Sequence, residues 1–213
     1  MDMEFQRART EKQIQSRKSE IIQACKEIHA TVGYENVTIK AISEKISCTR
    51  PAIYTYFKTK EEIFLEILTE EYVNWTHELK EYFEGPIQSK EAFCAFLAKS
   101  LSNKDIMLEL MSTKLNDIEN GVQLKSLIEF KKQVIIFFDN FYAGLEKFFP
   151  STKKEDIKIF SNTFFTYLYG LYPHHHHSDK QLEAMKAVHM EIKKPDMYQA
   201  CLNALLLMSI NLK

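Results

Sequence analysis

A chain of 213 residues, 45% hydrophobic and 27% charged, can bury a sizeable core and has the composition of an ordinary soluble globular protein. Its 5 glycines and 5 prolines are few for a β-rich chain full of turns, and its most apolar stretches fall short of a membrane span. The net charge of −1 hides an asymmetry: residues 1–60 hold 11 Lys and Arg against 7 Asp and Glu, and the remainder is acidic, so only the head is expected to meet a polyanion.

Residues 1–20 are charged and lack the apolar segment of a signal peptide. The four cysteines (Cys25, Cys48, Cys94 and Cys201) form no CxxC pair, which reads as reduced thiols in a cytoplasmic protein. Apolar residues recur at helical spacing along nearly the whole chain. The first helix is expected from about Thr10 to Val32, with Ile14, Ile21, Ile22, Cys25, Ile28 and Val32 on its inner face and Gly33 ending it. Two short helices follow, one marked by Ile39, Ile42 and Ile46, the other running from Pro51 to Tyr56.

Thr59-Lys60-Glu61-Glu62 reads as a capping box opening a long helix through Trp75 and Leu79 that ends before Gly85-Pro86. Ser89 is placed to cap a helix to about Leu101, and further helices are expected at about Lys104–Asn116 and Val122–Phe148. A second capping box, Thr152 to Glu155, opens a helix to about Tyr172, and a third spans Ser178 to Gln181. Pro195 suits the first position of a last helix to Asn211.

The stretch Thr38 to Glu62 carries the chemistry. Two short helices joined by the tight turn Ser47-Cys48-Thr49, packed on a longer first helix, make a helix-turn-helix. Ile39, Ile42, Ile46 and Ile53 face inward and fix the interhelical angle. Thr49, Arg50, Pro51, Ala52, Thr55 and Tyr56 face outward, a set that suits a duplex groove. Arg50 can pair bidentately with guanine or clamp a phosphate, and Pro51 and Ala52 let the backbone approach and touch thymine methyls. Tyr54, Thr55 and Tyr56 add hydroxyls, and Lys58 and Lys60 add charge.

This head resembles the tetracycline-repressor family. The family's second helix opens with Thr, here Thr38, and carries an Ile-Ala pair, here Ile42-Ser43. Its Gly-Val-Ser-like turn is Ser47-Cys48-Thr49, its Leu/Ile-Tyr-x-His/Tyr-Phe string is Ile53 to Phe57, and its Lys-x-x-Leu start is Lys60 to Ile63. The resemblance covers residues 14–68. It implies an all-α protein with an N-terminal three-helix helix-turn-helix domain (residues 1–58) and a C-terminal helical ligand-binding and dimerisation bundle (residues 59–213). The implied function is a DNA-binding transcriptional regulator, a repressor released from a palindromic operator on double-stranded DNA by a small hydrophobic effector.

Position by position, the resemblance makes Thr38, Thr49, Arg50, Tyr54, Tyr56 and Lys60 DNA contacts. Tyr56 and Lys60 are then phosphate ligands and Arg50 a base reader, while Ile53 and Phe57 are structural. One departure is Ser47, where the family has Gly. If the turn needs positive φ there, the strain costs about 1 kcal/mol. The resemblance also implies a homodimer through a four-helix interface, with Phe160, Phe164 and Leu168 on one helix and Leu202, Leu205 and Met208 on the other. Such a dimer presents two recognition helices about one duplex turn apart.

Trp75, Phe93, Phe96, Met107, Met111, Phe137 and Phe141 are core residues by default, and in the family this region also holds the effector pocket. The run His174–His177 invites a metal reading, but four consecutive imidazoles point in different directions, and only His174 and His177 have helical spacing. No metal site and no cofactor is expected. The chain has no nucleotide-binding glycine loop, no G-x-S-x-G and no HExxH, so no enzyme is expected either. The competing reading is a helical bundle that binds a small molecule or metal without functional DNA binding. It predicts DNA affinity indifferent to Arg50→Ala and Tyr56→Ala.

Overall fold

The computed structural model describes residues 2–190 and 196–213, and all regular structure there is helical. The helices are α1 (Asp2–Asn36), α2 (Ile39–Lys45), α3 (Arg50–Tyr54), α4 (Lys60–Glu84), α5 (Lys90–Leu101), α6 (Asp105–Glu109), α7 (Leu115–Asn120), α8 (Leu124–Phe148), α9 (Lys154–His175), α10 (Asp179–Ala187) and α11 (Met197–Met208). A π turn (Leu110–Lys114) joins α6 to α7, and a 3-10 turn (Ser209–Asn211) follows α11. The chain forms two compact units, Met1–Glu70 with Asn116–Lys132 and Glu71–Leu115 with Gln133–Lys213, so α4 and α8 contribute to both.

In the first unit, α1 is longer than the sequence suggested. Gly33 interrupts it at φ 72°, ψ 166°, a conformation that is cheap only without a Cβ, and Tyr34 beyond the break is buried. Ile21, Ile22, Ala24, Cys25 and His29 are buried, whereas Ile14 (39%) and Val32 (43%), expected on the inner face, are exposed. Ile14 falls where α1 has no buried residue between Thr10 and Glu20, and Val32 lies in the last turn before the break. His29 and Tyr34 set their rings against Phe64 of α4, with centroids 5.6 and 4.5 Å apart.

The start of α4 differs in detail from the expected box. Thr59 Oγ1 accepts the Glu62 N–H at 3.2 Å, but the Glu62 carboxylate accepts the N–H of Lys58, one residue earlier, at 2.7 Å. The Thr59 hydroxyl in turn donates to the Gly121 carbonyl at 3.0 Å, tying the start of α4 to the end of α7.

The second unit is built round a continuous aromatic core. Trp75 of α4 lies 4.7 Å from Phe137 of α8, Phe141 stacks on Phe164 of α9 at 5.9 Å, and Tyr82 stacks on Phe96 of α5 at 3.8 Å. At Gly144 of α8, a Cβ would fall inside the Phe83 ring of α4. The expected Thr152 capping box is absent. Thr152 instead binds Lys213, accepting its N–H at 2.6 Å and donating to its carbonyl, and Lys153 precedes α9 with no side-chain cap. α9 also runs past Tyr172 through Pro173, so His174 and His175 belong to its last turn and not to a loop. The Ser178–Gln181 box is present in full. Asp196 caps α11, and Pro195, expected to open it, lies outside the described residues.

Phe160, Phe164, Leu168 and Leu205, expected at a dimer interface, are buried within the protomer, and Leu202 and Met208 are half-buried. Both helices are apolar over so wide an arc that the inner face takes these residues. Their outer faces carry Ile159 (54%), Tyr169 (46%) and Leu207 (75%) instead, and Ile210 (69%) is exposed in the 3-10 turn that follows α11.

Candidate nucleic-acid interface

The helix-turn-helix is set by its caps and its buried anchors. Thr38 caps α2 by accepting the Ala41 N–H at 3.1 Å. Ile46 follows α2 as its cap, and Ser47 then adopts φ 51°, the left-handed turn at the position where the family places glycine. Cys48 N–H donates back to Ser43 O at 3.0 Å, closing the turn. Thr49 caps α3 by accepting the Ala52 N–H at 3.4 Å, and Pro51 occupies the first turn, where no N–H is needed.

Beneath α3, Ile42, Ile53 and Phe57 are buried, while Ile39 and Ile46 are only half-buried. Above it, Arg50, Pro51, Tyr54 and Thr55 are exposed, and Ala52 and Tyr56 are half-buried. The structure thus gathers most of the sequence-expected contacts on one short helix, with Thr38 at the start of its partner. The Thr55 hydroxyl donates to Ala52 O at 2.7 Å, which leaves only its oxygen lone pairs for a partner. Lys58 Nζ donates to Tyr54 O at 2.6 Å and so caps α3 at its end.

Lys60 is engaged within the head. Its ammonium lies against the end of α1, donating to Tyr34 O at 3.2 Å and resting 4.5 Å from the centre of the Tyr34 ring. A cation there satisfies the last carbonyls of α1 next to the Gly33 break and stacks on an aromatic face, two contacts a phosphate would have to replace. Its place in the family motif gave no hint of this, because the partner carbonyl lies 26 residues away in the chain.

The residues expected to line an effector pocket all lie in the second unit. Trp75, Phe93, Met107, Phe137 and Phe141 are fully buried, Met111 nearly so, and Phe96 is partly exposed under Tyr82. Met111 sits in the π turn and accepts a weak hydrogen bond from Tyr72 at 3.7 Å. At the histidine run, His176 stacks on Tyr172 at 4.0 Å, and His175 Nδ1 faces the Leu171 carbonyl at 2.8 Å. Among the described residues, no three His, Cys, Asp or Glu side chains are grouped to hold a metal ion. Nor is any described helix long and apolar enough to cross a membrane.

Comparison with known proteins agrees with this geometry. Residues 21–67 match the family described as bacterial regulatory proteins, tetR family, and residues 69–210 match the tetracyclin repressor-like C-terminal domain. No curated protein matches the sequence. Among solved structures, the fatty acid degradation regulator FadR of Bacillus halodurans superposes with a TM-score of 0.56 at 15% identity, covering 92% of this chain and 96% of that one. FadR of Bacillus subtilis, in complex with stearoyl-CoA, gives 0.54 at 14% identity over 92% and 99%. FadR of Thermus thermophilus, a TetR-family repressor in complex with lauroyl-CoA, gives 0.57 at 12% over 92% and 95%. With the helix-turn-helix of the first unit and the helical body both matched, the chain belongs to the tetracycline-repressor family of DNA-binding transcriptional regulators.

Proposed function

We propose that the protein is a homodimeric repressor that holds a palindromic operator through α3 and releases it when a small hydrophobic effector enters the second unit. The observation that carries this reading is the exposed set Arg50, Pro51, Tyr54 and Thr55 on a helix whose opposite side is locked by buried Ile53 and Phe57. Arg50 reads a base, Thr38, Thr49 and Tyr56 steady the backbone, and Lys60 acts through the fold of the head and not by touching DNA. The protein works by binding and not by catalysis, in the cytoplasm.

The dimer forms through the outer faces of α9 and α11 and the turn after α11, where Ile159, Tyr169, Leu207 and Ile210 would otherwise stay in water. Gly170 lies on the same side, with open space where a Cβ would stand, so a partner helix can approach closely. The effector reading draws support from the fold shared with regulators solved in complex with stearoyl-CoA and lauroyl-CoA. An effector favouring one of two arrangements of the second unit would move α4, which runs on into the first.

The test is selection of binding sites from random duplex DNA, followed by affinity measurements across a salt series with and without lauroyl-CoA. A selected palindrome bound by a dimer, weakened about tenfold or more by Arg50→Ala and released by the acyl-CoA, is the expected result. Absence of any sequence preference over random duplex would sink the reading.

A further inference from the structure

The helix α3 is five residues long, too short to hold a direction in water by itself, so whatever fixes its two ends fixes how its side chains meet a duplex. Its first end is set by the turn from α2, through Cys48 N–H on Ser43 O and the Thr49 cap. Its last end is held from α4. Lys58 Nζ donates to Tyr54 O at 2.6 Å, and the Lys58 N–H donates to the buried Glu62 carboxylate at 2.7 Å. The Glu62 N–H donates to Thr59 Oγ1 at 3.2 Å, and the Thr59 hydroxyl donates to the Gly121 carbonyl at 3.0 Å, 62 residues further along the chain. These hydrogen bonds run without a gap from the end of α3 to the corner between α7 and α8.

The corner is shaped for this contact. A Cβ on Gly121 would stand 2.5 Å from Glu61 Cγ and 3.0 Å from Glu61 Cβ, so the corner closes on the first turn of α4 only because residue 121 has no side chain. Gly121 is not among the residues with positive φ, which makes the close approach, and not the backbone conformation, the use of this glycine. Behind it Ile118 and Phe130 are buried, and the stretch Asn116–Lys132 packs with Met1–Glu70 as one compact unit. Burial and the nearby Glu61 and Asp117 carboxylates push the Tyr34 phenol up, so the end of α1, the start of α4 and α7 meet at one place.

We propose that Thr59 and Gly121 are positioning residues for operator recognition, holding α3 at the angle from which Arg50 and its neighbours read bases, although neither touches DNA. This rests on reading α3 as the operator-binding helix. Attraction to phosphates depends on the number of charges and survives a small rotation of the helix, whereas pairing with a base edge is geometric and does not. Loss of the Thr59–Gly121 clasp therefore costs discrimination between sequences and spares the general attraction to DNA.

The test measures the affinity of the full-length protein for its selected operator and for random duplex of the same length, across a salt series. The variants are Thr59→Val, Thr59→Ser, Gly121→Ala, Glu61→Ala and Glu61→Ala with Gly121→Ala, each at a temperature where circular dichroism shows it fully folded. Thr59→Val and Gly121→Ala are expected to bind the operator about tenfold more weakly, with unchanged affinity for random duplex and an unchanged salt slope. Thr59→Ser keeps both hydrogen bonds and should match wild type. Glu61→Ala removes the atom at 2.5 Å and should recover much of the Gly121→Ala loss. If Gly121→Ala does not fold, Thr59→Val against Thr59→Ser decides alone.

Unchanged operator affinity in Thr59→Val overturns the positioning role. Equal losses on operator and random duplex overturn it too, since a lost phosphate contact or a merely structural residue weakens both alike. If Arg50→Ala still weakens operator binding in either case, the regulatory reading stands and only the clasp fails. If the wild-type protein prefers no sequence, the regulatory reading fails, and the clasp with it.

Discussion

Lys60 and Tyr34 are joined twice: the ammonium donates to the Tyr34 carbonyl at 3.2 Å and lies 4.5 Å from the centre of the same residue's ring. One side chain thereby closes the end of α1 just after the Gly33 break and fixes the first turn of α4 against it. Lys60→Met should destabilise the protein by about 1–2 kcal/mol in urea unfolding, whereas Arg50→Ala should leave the urea midpoint unchanged and weaken operator binding. A Lys60→Met protein of unaltered stability, with a salt slope reduced by about one phosphate contact, would return Lys60 to the DNA interface.

The outer and inner faces of α11 give a paired test of the dimer. Leu207→Glu, on the exposed side, should yield a folded monomer in analytical ultracentrifugation with loss of operator affinity. Leu205→Glu, two residues away at 0% exposure, should not fold, because it buries an unpaired charge. Folded dimer from Leu207→Glu would place the interface elsewhere.

Two helical glycines should respond in opposite directions to alanine. Gly144→Ala drives a methyl into the buried Phe83 ring and should cost about 1–3 kcal/mol. At Gly170 no atom lies within 4 Å of an added Cβ, and Gly170→Ala should stabilise the protomer by about 0.5–1 kcal/mol. Thermal melts at a protein concentration where the chain is monomeric separate this effect from dimerisation.

Ser47 at φ 51° carries strain that glycine would relieve. Ser47→Gly should raise stability by about 1 kcal/mol, and Ser47→Val should lower it. Chemical denaturation checks both, and no gain from glycine would mean that the turn is held without strain.

Burial pushes the Cys25 thiol up to about 12 and the Cys201 thiol up to about 11, and Cys94 is raised as well. Raised values keep these thiols protonated at pH 8, where only thiolate attacks a disulfide reagent. The native protein should therefore release one rapid equivalent of thionitrobenzoate from Ellman's reagent, from the half-buried Cys48, and four after denaturation. Two or more rapid equivalents would show that the core opens readily.

The helical class, the helix-turn-helix and most of its outward residues were legible in the residues alone. These depend on local signals: Thr38 and Thr49 as caps, Pro51 in a first turn, the spacing of Ile42, Ile53 and Phe57, and a turn of fixed length. The Ser178–Gln181 box was legible for the same reason, since both partners lie within one helical turn. That Thr152 binds Lys213, that Lys60 closes α1, and that Gly121 receives Thr59 depends on contacts between distant parts of the chain. So does the choice of which arc of α9 and α11 is core, with Phe160, Phe164 and Leu205 inside and Ile159, Tyr169 and Leu207 outside. Periodicity shows that a helix has an apolar arc, but when the arc exceeds half the circumference, its division between core and surface is set by neighbours brought in from distant parts of the chain.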